Sequence, residues 1–128
     1  MDPFKTHGAF SWNELMTSDP AGAAAFYRQL FGWRIDEVNM GTGPYRVVHA
    51  GDAAVGGIMA MPPGAPPMPP AWGCYVTVAD LDQTLATCKA LGGKVAMQPM
   101  VVPNVGRMAV IQDPQGATLS VITYARSG

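Results

Sequence analysis

The sequence predicts an α+β fold in which one βαβββ module occurs twice in tandem. Two observations carry this expectation. The first is a repeat. A shift of 61 residues lays "TSDPAGAAAFYRQLFGW" from Thr17 over "VADLDQTLATCKALGGK" from Val78, matching Asp19 with Asp80, Ala25 with Ala86, Leu30 with Leu91 and Gly32 with Gly93. The same shift continues to Arg46 over Arg107, Asp52 over Asp113 and Ile58 over Leu119. Self-similarity at one offset, with turn residues in step, marks a duplicated supersecondary unit. The second observation is that each copy reads as strand, helix and three strands by period alone.

In the first copy "FSWNELMT" alternates as a strand does, and Asp19 followed by Pro20 is an N-cap with proline at the first helical position. Ala23, Phe26, Tyr27 and Leu30 then recur at helical spacing as the expected buried face, until Gly32 supplies a left-handed stop. "WRIDEV", "YRVVHA" and "AVGGIMAM" are the three strands. In the second copy "GCYVTV" is the strand and Asp80 the cap. Leu81, Leu85, Cys88 and Leu91 mark the helix face, and "KVAMQPM", "RMAVIQ" and "ATLSVI" follow. The expected organisation is one domain over residues 1–128, with module one at about 8–61, a proline-rich linker or lid at 62–70 and module two at about 71–124.

Composition narrows the function classes. The chain has 128 residues, 48% of them apolar, and a net charge of −1, which suits one globular unit with a moderate core. No basic run offers a footprint for nucleic acid, so no nucleic-acid partner is expected. No apolar run reaches the roughly 20 residues needed to span a bilayer, and "MDPFKTHG" lacks the profile of a secretory signal; a cytoplasmic protein without a membrane partner is expected. Cys74 and Cys88 are too few and too far apart for a zinc site or a disulfide framework, and read as reduced thiols in the core.

Two βαβββ units, helices opened by "SDP" and "ADL", and a closing "DPQG" followed by a strand resemble the vicinal oxygen chelate superfamily of glyoxalases, bleomycin resistance proteins and extradiol dioxygenases. "SWNELMTSDP", "AAAFYRQLFGW", "GGIMAMP" and "VGRMAVIQDPQGA" are similar to its small glyoxalase-like members. The resemblance implies curled mixed sheets around a cleft, and a homodimer, because relatives cover their sheet edges by pairing.

The resemblance also implies where a divalent metal would sit: on the first and last strand of each module, held by His, Glu or Gln. The first-strand positions fall seven residues before each capping aspartate, at Trp12 and Gly73. The last-strand position falls seven residues after Asp113, at Ser120, and the offset of 61 puts its counterpart at Met59. None carries an imidazole or a carboxylate, so no metal and no other cofactor is expected.

Strand parity then gives the lining of the expected cleft. Trp12, Glu14 and Met16 share a face of the first strand, and Gly73 and Tyr75 share the matching face in the second copy. Met59 and Ser120 come from the closing strands. Rings and thioethers suit a small, partly aromatic or amphiphilic ligand. Trp12, Met16, Met59, Gly73, Tyr75 and Ser120 are therefore the expected ligand-binding residues. Glu14, flanked by Trp12 and Met16, is the candidate catalytic residue, because a partly desolvated carboxyl is a stronger base. Its alternative is a structural role with a hydrogen-bonded partner. Arg46 and Arg107 read as anion clamps or solvated edge charges, and His7 and His49 as structural. Two functions stay open: a metal-free binding protein, or an enzyme of the superfamily. The enzyme would be a lyase or isomerase with Glu14 as base, or a dioxygenase-like enzyme with its metal on non-standard ligands.

Overall fold

The computed structural model describes residues 1–39, 44–61, 69–102 and 105–125. Eight strands and two helices follow in the order β1 (Phe10–Thr17), α1 (Pro20–Phe31), β2 (Arg34–Asn39), β3 (Pro44–Ala50), β4 (Ala53–Ala60), β5 (Ala71–Thr77), α2 (Leu81–Ala90), β6 (Lys94–Val102), β7 (Gly106–Gln112) and β8 (Thr118–Tyr124). This is the βαβββ order twice, an α+β fold. Most of the expected linker, residues 62–68, lies outside the described residues. Among the described residues no helix is long and apolar enough to cross a membrane. The chain forms two compact units, Trp12–Gly73, and Met1–Ser11 together with Cys74–Gly128.

In the unit Trp12–Gly73 the strands run β2-β3-β4-β1, antiparallel except for the parallel pair β1 and β4. Asp19 caps α1 by accepting from the Gly22 amide at 3.0 Å, and a Cβ on Gly22 would collide with that carboxylate, which explains a glycine in the first helical turn. Gly32 ends the helix in the left-handed region at φ 71°. Leu15, Ala24, Ile35, Val48 and Ile58 form the core, with Ala23, Tyr27 and Trp33 against it. The helix face differs from the expected one. Ala24 is the fully buried position, while Phe26 and Leu30 are exposed. An alanine at the closest approach lets the helix lie near the sheet, and the bulky side chains of its later turns then project away from that contact.

In the other unit the strands run β6-β7-β8-β5, with β5 and β8 parallel. Val78, Leu81, Leu85, Ala109 and Val121 make its core. Leu91, expected on the buried face, lies after the last helical residue and is exposed. Cys74 is also exposed rather than in the core, because the first four residues of β5 are exposed and burial begins at Tyr75. The first residues of the chain pack here too: the Gly8 amide donates to the Thr77 carbonyl at 2.7 Å and the Thr77 amide to the Ala9 carbonyl at 2.9 Å. "DPQG" is a turn organised by one carboxylate, since Asp113 Oδ1 accepts from the amides of Gln115 at 3.0 Å and Ala117 at 2.9 Å.

Candidate functional site

Within the unit Trp12–Gly73, one polar chain connects β1 to β3. Tyr45 Oη donates to Glu14 Oε2 at 2.7 Å, and Trp12 Nε1 donates to Tyr45 Oη at 3.0 Å. The direction is forced, because an indole nitrogen can only donate and a phenol has a single proton to pass on. Trp12 and Glu14 share a face of β1 by alternation, as expected, and Glu14 is buried at 8% exposure. Tyr45 reaches both because Gly57 has no side chain: a Cβ there would coincide with the phenol oxygen. Gly57 lies across from Glu14 in the parallel β1–β4 register. Tyr45 is the site residue the sequence reading missed. The adjacent glycines Gly56 and Gly57 in the middle of β4 were the available signal, since glycine inside a strand marks a close approach by another group.

Met16 and Met59 are register partners, both half-buried. A Cβ on Gly73, at the exposed start of β5, would lie 4.0 Å from the Glu14 carbonyl oxygen. In the other unit Tyr75 is buried and pairs in register with Ser120, which is half-buried.

These registers correct one assignment. Tyr75 follows Glu14 by the offset of 61, and it faces Ser120 as Glu14 faces Gly57. The counterpart of Ser120 is therefore Gly57, not Met59, and the offset at the last strand is 63. The slip enters between the second and third strands of each module. Val47 pairs with Gly57 and Val110 with Ser120, so β3 and β7 are already 63 apart, whereas their partners Asp36 and Met97 on β2 and β6 are 61 apart, and the pairing of β6 with β7 shifts register at Val95/Met97 and Met97/Met100. A slip of two residues preserves strand parity, so Met59 stays on the same face as Gly57.

The four ligand positions do not fit a divalent cation. Trp12 has only an N–H donor, Gly57 and Gly73 have no side chain, and Ser120 has a neutral hydroxyl; hard cations need several oxygen or imidazole acceptors. Among the described residues no group of three or more His, Cys, Asp or Glu side chains could hold a metal ion.

The remaining candidates have structural partners. Arg46 meets Glu37 at 3.4 Å, and Arg107 meets Asp82 with both terminal nitrogens at 3.3 Å. His7 Nδ1 accepts from the Ala79 amide at 2.9 Å, and His49 Nε2 lies 3.3 Å from Asp36. Two cavities open within the unit of Met1–Ser11 and Cys74–Gly128, of about 450 and 600 Å³. Arg107 lines the smaller and His7 the larger, while Glu14 and the expected ligand-binding residues line neither. The smaller reaches Tyr124, whose hydroxyl lies 2.7 Å from Ser11 Oγ; burial pushes its pKa above the ordinary 10.0, and the Ser11 hydrogen bond pulls the other way.

Residues 9–121 match the profile of the Glyoxalase/Bleomycin resistance protein/Dioxygenase superfamily. The chain belongs to that superfamily. Within it, the Mycobacterium bovis protein CFP32, whose name proposes a glyoxylase, is 45% identical over 119 residues, covering 92% of this chain and 45% of that protein. The anthracycline biosynthesis protein DnrV of Streptomyces peucetius is 33% identical over 127 residues, covering 89% and 46%. The chain thus spans about half the length of the curated relatives it matches. Among solved structures, methylmalonyl-CoA epimerase from Mycobacterium tuberculosis superposes with a TM-score of 0.67 at 15% identity, covering 95% of this chain and 92% of that one. At that identity the likeness shows the superfamily fold alone.

Proposed function

We propose that this chain binds a small, partly aromatic or amphiphilic molecule on the face carried by Trp12, without a divalent metal ion. The supporting observation is the chain Trp12–Tyr45–Glu14. A buried carboxylate holds a phenol, and the phenol holds an indole at 3.0 Å, so the tryptophan ring is fixed before any ligand arrives. A pre-positioned ring loses little freedom on stacking, which favours binding. Met16 and Met59 bring adaptable thioethers to the same module. Tyr75 and Ser120 present a ring and a hydroxyl at the equivalent place in the other module. The name of DnrV is consistent with this chemistry, since an anthracycline is a fused planar ring system.

A second reading has one observation in its favour. Glu14 is a buried carboxyl, and CFP32 is named for an enzyme activity. Glu14 would then be the general base of a metal-free lyase or isomerase. The hydrogen bond from Tyr45 counts against it, because Glu14 Oε2 is already engaged by the phenol that holds the Trp12 indole. Fold membership alone decides neither.

Thermal-shift screening of metal-stripped protein against flat phenols and aromatic acids tests the proposal, since a ligand of the native state raises its stability by mass action. A binder is expected, and Trp12→Ala should lose most of its affinity, about 2 kcal/mol or more for a truncated aromatic anchor. Glu14→Gln should bind nearly as wild type with no turnover to lose. Turnover by the wild type that falls roughly 10²- to 10⁴-fold in Glu14→Gln would replace binding by catalysis.

A further inference from the structure

We propose that the second module holds a separate binding site for a small neutral aromatic molecule, of the phenol or indole class, in the cavity of about 600 Å³ beside α2. Its floor is the sheet: Val76 on β5, Ile111 on β7, and Leu119 and Val121 on β8. Thr87 and Cys88 of α2, with Leu91 just beyond it, form the wall. Val76 and Val121 are register partners, as are Ile111 and Leu119, and each pair alternates with the pairs that hold Tyr75 and Ser120. Alternation sets the floor on the opposite face of the sheet from those two residues, so this cavity is independent of any site that they build.

The first module shows what fills the equivalent space. Asp19 and Asp80 cap their helices alike, so the helices keep the offset of 61, and Phe26, Tyr27 and Trp33 fall over Thr87, Cys88 and Lys94. The rings of Phe26 and Trp33 lie 5.1 and 5.5 Å from that of Tyr27. Tyr27 and Trp33 pack against the core of their module, where Leu15 and Val48 are 5% and 1% exposed. The counterparts of Leu15 and Val48, by offsets of 61 and 63, are Val76 and Ile111, and both are only half-buried. A phenol and an indole cover the first sheet; a thiol and an amine stand in their places on the second. Leu85 also replaces Ala24, and a leucine needs more room between helix and sheet than an alanine. The aliphatic floor is therefore left open to an added ring, whose burial against it is favourable.

The polar lining selects among rings. His7 Nδ1 accepts from the Ala79 amide at 2.9 Å, so in the neutral imidazole Nε2 carries the proton and can donate. Asp113 Oδ1 takes the amides of Gln115 and Ala117, which leaves Oδ2 to accept. Thr87 adds a hydroxyl. The carboxylates in the lining belong to Asp80 and Asp113, and no lysine or arginine lines the cavity with them. An anionic ligand meets like charge there, whereas a neutral ring with one N–H or O–H finds an acceptor for its proton and an aliphatic bed for its face. The volume also lies within the roughly 300–1,000 Å³ of small-molecule sites.

Methyl NMR of the full chain titrated with indole and with p-cresol, the side chains of tryptophan and tyrosine without a backbone, tests the site. Saturating shifts are expected at the methyls of Val76, Ile111 and Leu119, and none at Leu15, Val48 or Ile58, which belong to the core that the first module covers with its own rings. Indole-3-acetate should bind about tenfold or more weakly than indole, because of the two carboxylates. Thr87→Phe restores the first module's residue at an exposed helix position and should weaken indole about tenfold or more by filling the cavity. The shifts should persist in Trp12→Ala, which separates this site from the Trp12 face. Absence of saturating shifts at the three methyls overturns the proposal, as does their loss in Trp12→Ala, equal binding of indole-3-acetate, or undiminished binding by Thr87→Phe. Should Thr87→Phe fail to fold, nuclear Overhauser contacts in the wild type decide: contacts from indole protons to the Val76 and Leu119 methyls support the site, and their absence rejects it.

Discussion

A phenol with one proton to give, placed between a donor and an acceptor, makes Tyr45 the residue on which the site's geometry turns. Removing only its hydroxyl, by Tyr45→Phe, takes away both hydrogen bonds and leaves the ring in place over Gly57. A buried carboxyl that loses a partner is costly, so a loss of about 1–3 kcal/mol is expected in urea unfolding. The indole of Trp12 should also become more mobile by side-chain NMR. A variant as stable as wild type, with an unchanged Trp12 indole signal, would show that the chain positions nothing. Tyr124 gives a second prediction, with its sign set by burial. Its folded pKa lies above the ordinary 10.0. A raised pKa means that the neutral phenol is favoured in the fold. The contribution is complete below pH 10.0 and is lost as pH climbs through the folded value. Stability should fall above that pH more steeply in wild type than in Tyr124→Phe, which lacks the ionisation, and parallel profiles would refute the assignment.

At the scale of elements, Gly57 on β4 is the counterpart of Tyr45 on β3. Gly57→Ala puts a methyl group where the phenol oxygen lies, so Tyr45 must move and its bond to Glu14 must break. Overpacking of this kind costs about 1–3 kcal/mol. Tyr45→Ala vacates the space, so in that background Gly57→Ala should cost markedly less; strictly additive losses in urea melts would remove the steric link. Much at this scale was legible in the sequence, because the signals are local. Asp19 and Asp80 cap helices through their own side chains, Gly32 needs a positive φ, and Asp113 closes its turn with nearby amides. The register was not legible. It depends on the longer span from β6 to β7 than from β2 to β3 and on register shifts within β6, and sequence matching at a constant offset cannot see a two-residue slip between modules. Nor could periodicity distinguish Ala24 from Phe26 as the deep face of α1, since in an alanine-rich helix the closest approach goes to the smallest side chain.

For the whole molecule, the corrected register bears on metal content. With Gly57 rather than Met59 as the counterpart of Ser120, even the thioether leaves the ligand set, and the four positions offer a tryptophan, two glycines and a serine. A divalent ion lost from water needs charge and several acceptor atoms in return, and one neutral hydroxyl supplies neither. The glutamate nearest these positions already accepts a hydrogen bond at 2.7 Å from Tyr45. Protein purified without chelator should therefore carry far less than one zinc, nickel, iron or manganese per chain. Its melting temperature should be the same with and without a chelator, whereas an ion held at 100 times its Kd would add about 2.7 kcal/mol by mass action. Stoichiometric metal that resists dialysis, and whose removal lowers the melting temperature, would mean that the chain builds its site from residues outside these four positions. Glu14→Gln would then separate the outcomes further. Loss of the metal in that variant would make Glu14 a ligand and break the assignment of Tyr45 as its partner, while retention would place the ion elsewhere in the chain.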